Sequence, residues 1–122
     1  MAVIINKLIT GSMGVGSSAP TYHADTWYKY DGDTEWRTVS ISGEITGSSI
    51  PNVVAIEIGS DVTNIGKQAF YGCHGLTSVT IPSSVANIGV GAFAYCTSLT
   101  NLTIPANVTS IGSFAFEQTN NM

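Results

Sequence analysis

The chain is 122 residues long, room for one domain, and carries four Lys and Arg against eight Asp and Glu, for a formal net charge of -4 and a pI near 4.7. A phosphate backbone needs clustered cations, and the only ones, Lys7, Lys29, Arg37 and Lys67, are scattered, which excludes nucleic acid as a partner. No apolar run approaches the ~20 residues of a membrane span. Met1-Ala-Val-Ile-Ile has no basic start and is interrupted by Asn6 and Lys7, so no signal peptide is evident.

Residues 1–25 read as a flexible N-terminal arm. Ala2–Ile9 is short and apolar, and Gly11–Ala19 follows with the composition of a tether. Val3, Ile4, Ile5, Leu8 and Ile9 form a candidate interface that adds a strand to a protein partner or larger assembly; an idle tail and a cleaved leader are the alternatives. Residues 26–52 read as a β-hairpin and a clipped capping coil. The aromatic-rich runs Thr26–Tyr30 and Glu35–Val39 flank Asp31-Gly32-Asp33-Thr34, a turn sequence, and the hairpin is expected to cover the first coil with Trp27 or Trp36. Trp36-x-x-Val39-x-Ile41-x-x-x-Ile45 has the spacing of Val53-x-x-Ile56-x-Ile58-x-x-x-Val62, only 17 residues upstream.

Residues 53–122 hold three 23-residue coils. Ile65-Gly66-x-x-Ala69-Phe70 returns as Ile88-Gly89-x-x-Ala92-Phe93 and as Ile111-Gly112-x-x-Ala115-Phe116, and Leu76-x-x-Val79-x-Ile81-Pro82-x-x-Val85 returns as Leu99-x-x-Leu102-x-Ile104-Pro105-x-x-Val108. A fixed period of this length predicts a solenoid whose coils bury their apolar sides only against one another. In the middle coil Leu76, Val79, Ile81, Val85, Ile88, Ala92, Phe93 and Cys96 are expected to point inward. Strands Ile56–Ile58, Val79–Ile81 and Leu102–Ile104 should pair in parallel, with Ser78 and Thr80 exposed.

The run IPSSVANIGVGAFAYCTSLTNLTIP resembles the BspA-like leucine-rich repeats of bacterial surface proteins, over about residues 53–122. The resemblance implies a leucine-rich-repeat solenoid with a parallel β-strand ladder and short helical turns opposite, and implies no reaction. Two positions depart from its pattern. Gly59 stands where Pro82 and Pro105 sit, and Thr119 where Cys73 and Cys96 sit.

Cys73 and Cys96 occupy equivalent places one coil apart, and are read as buried free thiols, with a disulfide and a metal site as the other readings. His23 and His74 sit in no nucleophile motif. Asp31, Asp33 and Glu35 lack the spacing of a calcium loop, and Gly11, Gly14 and Gly16 precede no Gly-Lys-Ser/Thr. No catalytic residue, metal or cofactor is assigned. What remains is surface: the outward positions Ala55, Ser78, Asn101 and Glu57, Thr80, Thr103 line up as a mostly uncharged ladder, a candidate binding face for protein or glycan. Phe114 takes the position of Gln68 and Gly91 at the C-terminal edge, where it either folds inward as a cap or mediates self-association. Together these features read as an extracellular structural and display subunit, in a phage virion that needs no signal peptide, or as an adhesion module on a bacterial surface.

Overall fold

The computed structural model describes residues 23–47 and 52–119. The candidate arm residues Val3, Ile4, Ile5, Leu8 and Ile9 lie outside the described residues. Among the described residues nine strands follow in order: β1 (Thr26–Lys29), β2 (Arg37–Val39), β3 (Gly43–Ile45), β4 (Ala55–Glu57), β5 (Val62–Ile65), β6 (Ser78–Thr80), β7 (Asn87–Ile88), β8 (Asn101–Thr103) and β9 (Ser110–Ile111). They form two sheets, ordered β2-β1-β4-β6-β8 and β9-β7-β5-β3.

The 23-residue spacing becomes strand register. In the first sheet Ile56 pairs with Val79 and Val79 with Leu102, all in parallel; in the second, Ile65 pairs with Ile88 and Ile88 with Ile111. The ladder strands begin and end one residue earlier than the sequence suggests. Ile81 and Ile104 each precede a proline, which has no N–H to continue the ladder, and β4 ends at the equivalent residue although Gly59 follows Ile58. The second sheet was not expected at all.

All eight inward residues of the middle coil are buried, as are Ile56, Ile58, Val62, Ile65 and Phe70 of the coil before it. Phe93 stacks between Phe70 and Phe116 with ring centroids 5.2 and 5.5 Å apart. Threonines zip the coils from outside: Thr77 Oγ1 donates to the Val54 carbonyl at 3.1 Å and Thr109 Oγ1 to that of Ala86 at 3.2 Å. Gly66, Gly89 and Gly112 form a column in which the coils touch by backbone. A Cβ on Gly89 would lie 2.7 Å from the Gly66 carbonyl carbon, and one on Gly112 2.5 Å from the Val90 nitrogen.

The turns opposite the sheets are not helical, and there is no helix among the described residues. Each is a train of hydrogen-bonded four-residue turns. Ala69 N–H donates to Gly66 and Cys73 N–H to Phe70, and the third residue of each turn, Gln68 or Gly72, has φ of 55° or 71°, as a type II turn requires. Gly91, Tyr95, Phe114 and Gln118 repeat this left-handed geometry one and two coils on. It breaks a helix at fixed points and frees the intervening N–H groups to bond the next coil, Phe70 to Ala92 and Phe93 to Ala115, each at 2.7 Å.

The hairpin forms and is seated on the ladder. β1 pairs antiparallel with β2 on one side and with β4 on the other, Tyr28 opposite Ile56. The residues laid on the core are Tyr28, Tyr30, Val39 and Ile41, not the tryptophans. Alternation explains this: with Thr26 buried and Tyr28 facing the core, Trp27 must point to the other face. The proposed copy of Val53–Val62 at Trp36–Ile45 is also corrected. Val39 belongs to the hairpin, and Ile45 pairs with Ile65 rather than matching Val62, with an irregularity at Gly43/Glu44.

The same hairpin accounts for Gly59. Its N–H donates to the buried Thr26 Oγ1 at 3.0 Å, and a Cβ there would overlap the Ala24–Asp25 backbone. Proline could neither donate nor fit. His23 and Ala24 accept hydrogen bonds from the Ser60 and Asp61 N–H groups, so the folded body begins at or before His23.

Candidate binding face

Residues opposite one another on paired strands share a face. One outward row therefore runs Thr38, Trp27, Glu57, Thr80, Thr103 across all five strands, and a second runs Lys29, Ala55, Ser78, Asn101. Sequence reasoning placed Ala55, Glu57, Ser78, Thr80, Asn101 and Thr103 in this ladder, and the structure brings them together in that register. Thr80, Asn101 and Thr103 are exposed, whereas Ser78 and Glu57 are half-buried. Ser78 was expected in solvent, but it is half-buried between Ala55 and Asn101.

The hairpin adds what the ladder lacks. Trp27 sits directly across from Glu57, with the His23 ring 6.0 Å away, and Lys29 Nζ lies 5.0 Å over the Trp36 ring. Thr80 Oγ1 donates to the Glu57 carboxylate at 2.9 Å, which fixes that acceptor on the face. A groove of about 540 Å³ lies at the C-terminal part of the ladder, lined by Ser78, Thr80, Asn101 and Thr103 and also by the inward residues Val79, Ile81 and Leu102. The face thus grades from aromatic and charged at the hairpin to hydroxyl and amide at the last coil. Such a surface offers stacking planes and neutral hydrogen-bonding groups in one plane.

Trp27, Lys29 and Trp36 were missed as members of the face. Alternation from Tyr28 and Tyr30 would have placed the first two opposite the core-facing tyrosines, had the docking of the hairpin on Ile56 been foreseen.

Other candidate groups are engaged in structure. Asp33 holds Arg37 at 2.7 Å and accepts the Tyr30 N–H at 2.9 Å, so the acidic turn closes on its own hairpin; the Arg37 hydrogen bond holds the Asp33 carboxyl below its ordinary range. Cys73 and Cys96 are free and buried. Burial pushes the Cys96 thiol up to about 12, with nearby Cys73 adding to it, and burial raises Cys73 as well. Cys96 Sγ donates to the Phe70 carbonyl at 3.1 Å. Thiols held this way are poor nucleophiles and poor ligands. Phe114 is 68% exposed; it does not fold inward as a cap, because its left-handed backbone and its place at the corner of the last turn direct it away from the core.

Among known proteins, the profile of the BspA type leucine rich repeat region matches residues 44–122 in six copies. The match starts in β3, a few residues before the first full coil, so the strand that leads the second sheet is itself part of the repeat. No curated protein and no solved structure matches the chain. The chain belongs to the BspA-type leucine-rich repeat family.

Proposed function

We propose that the chain is a non-catalytic display module: a short solenoid, capped by its hairpin, that is anchored through its N-terminal arm and presents the outer face of the first sheet to a protein or glycan. The observation that carries this reading is the pair of outward rows, in which Trp27, Glu57, Thr80 and Thr103 stand in register beside Lys29, Ser78 and Asn101. Flat aromatic rings beside ordered hydroxyl, amide and carboxylate groups suit ligands that stack and hydrogen-bond without strong charge. The arm residues Val3, Ile4, Ile5, Leu8 and Ile9 supply the anchor. The setting proposed is a larger extracellular assembly such as a phage virion. Membership of a repeat family known from bacterial surface proteins favours a second setting, an adhesion module on the cell surface.

The test uses the full chain and a version lacking residues 1–22, which leaves His23 and Ala24 in place on Ser60 and Asp61. Removing the arm should abolish recovery with the assembly and leave glycan- or protein-array binding intact. Trp27→Ala and Thr80→Lys should do the reverse. Binding that survives both face substitutions overturns the display reading, and attachment that survives loss of the arm overturns the anchor. Recovery from purified phage particles or from cell envelopes separates the two settings.

A further inference from the structure

The groups beside Trp27 on the outer face are acceptors. Thr80 Oγ1 donates its one proton to Glu57 Oε2 at 2.9 Å, so that hydroxyl is left able only to accept. Glu57 Oε1 has no protein partner among the described residues, and Glu57 stands directly opposite Trp27 on the paired strand. The Lys29 ammonium is drawn the other way, 5.0 Å over the Trp36 ring, so the charge nearest to the Trp27 ring on these rows is the carboxylate. A ligand that fits must stack on an aromatic ring, bring hydroxyl or amide donors to the carboxylate and carry no anion there. Beyond Glu57 the rows continue as Ser78, Thr80, Asn101 and Thr103, hydroxyl and amide groups with no apolar side chain among them. Protein partners are held chiefly by aromatic and apolar anchors seated in pockets, and β6 and β8 present none on this face.

We infer that the face takes an uncharged oligosaccharide lying across the strands, with one ring stacked on Trp27 and its neighbouring hydroxyls donating to Glu57. This rests on the display role proposed above and narrows its ligand to one class. Each step of the row Trp27, Glu57, Thr80, Thr103 is one strand spacing, about 4.8 Å, close to the length of a sugar ring with its linking oxygen. Three such steps let successive rings meet Glu57 with Thr80 and then Thr103 with Asn101, both exposed. The C–H face of a sugar ring lies against the electron-rich face of the indole, while a carboxylate accepts from adjacent hydroxyls in charge-assisted bonds. Glu57 is thereby the specificity-determining residue. Its charge strengthens the bonds from hydroxyl donors and repels a sugar that carries a carboxylate or sulfate at the same place.

The experiment is calorimetric titration of the full chain with hexasaccharides of glucose, mannose, galactose and N-acetylglucosamine, and with the hexamer of galacturonate, which adds a carboxylate to each ring. At least one uncharged hexamer should bind with a dissociation constant below about 5 mM, and the galacturonate hexamer at least about tenfold more weakly. The disaccharide of the bound sugar should bind more weakly than its hexamer, because only the longer chain reaches Thr103. Trp27→Ala should weaken binding at least about tenfold and Trp27→Phe much less, with the circular dichroism of both matching the parent. Glu57→Lys should bring the galacturonate hexamer above the uncharged one, a reversal that a merely structural role for Glu57 does not produce. The inference is overturned if no uncharged hexamer binds at about 10 mM, if the parent binds galacturonate as tightly, or if a folded Trp27→Ala binds unchanged. A protein ligand lost in both Trp27→Ala and Thr80→Lys, with no saccharide bound, overturns the saccharide assignment and leaves the display reading standing.

Discussion

The middle coil and the last coil share most of their inward apolar positions but lie in different surroundings. Ile81 is 6% exposed and its counterpart Ile104 39%; Ile88 is 1% exposed and Ile111 48%. These isoleucines are the same in both coils, and what differs is the presence of a following coil among the described residues. A repeat therefore specifies a surface that becomes core when another repeat covers it, and its stability belongs to the interface between coils rather than to the coil. The hairpin shows the alternative solution: Tyr28, Tyr30, Val39 and Ile41 cover the first coil with residues that do not follow the repeat.

The largest test of this contrast is the phenylalanine column. Phe93 is fully buried between Phe70 and Phe116, so Phe93→Ala should cost about 3–5 kcal/mol in urea unfolding. Phe116 is stacked on one side and only partly buried, so Phe116→Ala at dilute concentration should cost about 1–2 kcal/mol. Equal costs would mean that the last coil is covered in solution by something the fold does not show.

Next comes the site where hairpin and ladder meet. Gly59→Pro removes the N–H bonded to Thr26 and forces a ring against Ala24 and Asp25, and should destabilise by about 3 kcal/mol or more. Pro82→Gly, the reverse exchange one coil on, should cost under about 1 kcal/mol, through the freer unfolded chain. If Gly59→Pro were tolerated, the hairpin would not be seated on the first coil.

How much of this was legible follows from where each cause sits in the chain. The inward set of the middle coil could be read because spacing alone determines it. The outward ladder could be read for the same reason, through strand alternation at Ser78, Thr80, Asn101 and Thr103. The second sheet could not, since β7 and β9 are two residues each and merge into the turns around them. Helical turns were expected only from the family resemblance; the left-handed residues that exclude a helix there, Gln68, Tyr95 and Phe114, are not glycine and carry no local signal. Gly59 was visible as an exception, but its reason is Thr26, 33 residues away. Trp27 and Lys29 joined the face only through the register of the hairpin on β4, a tertiary choice between two faces that composition does not make, and Trp36 through its contact with Lys29.

Those left-handed positions give a smaller effect of opposite sign. Gln68 has φ of 55° and is exposed, at the position where the next coil has Gly91 with φ of 64°. Left-handed backbone costs a residue with a Cβ about 1–2 kcal/mol, part of which glycine returns through its freer unfolded chain. Gln68→Gly should therefore stabilise by about 0.5–1 kcal/mol, read as a higher urea midpoint at unchanged slope. A loss would show that the Gln68 side chain itself holds the turn.

The smallest effect belongs to the hairpin turn, where the charges of the molecule gather. Asp33 is bonded to Arg37 and to the Tyr30 N–H, and the guanidinium keeps its carboxyl below the usual range. A carboxyl whose pKa falls on folding adds stability that is fully present above its unfolded pKa of about 4 and is lost as pH drops through the lower folded value. The pair is solvent-facing, with the Arg37 side chain 53% exposed, so its share is at most about 1 kcal/mol and shrinks further in salt. Asp33→Asn should lower stability slightly at pH 7, and the difference between variant and parent should narrow below about pH 4. No such difference is expected for Asp31→Asn, because Asp31 is exposed and does not hold Arg37, whose carboxylate partner is Asp33. A parent and Asp33→Asn that stay equally stable across the whole range would show that the turn is held by its backbone bond from Asp33 N–H to the Tyr30 carbonyl at 3.1 Å rather than by the ion pair.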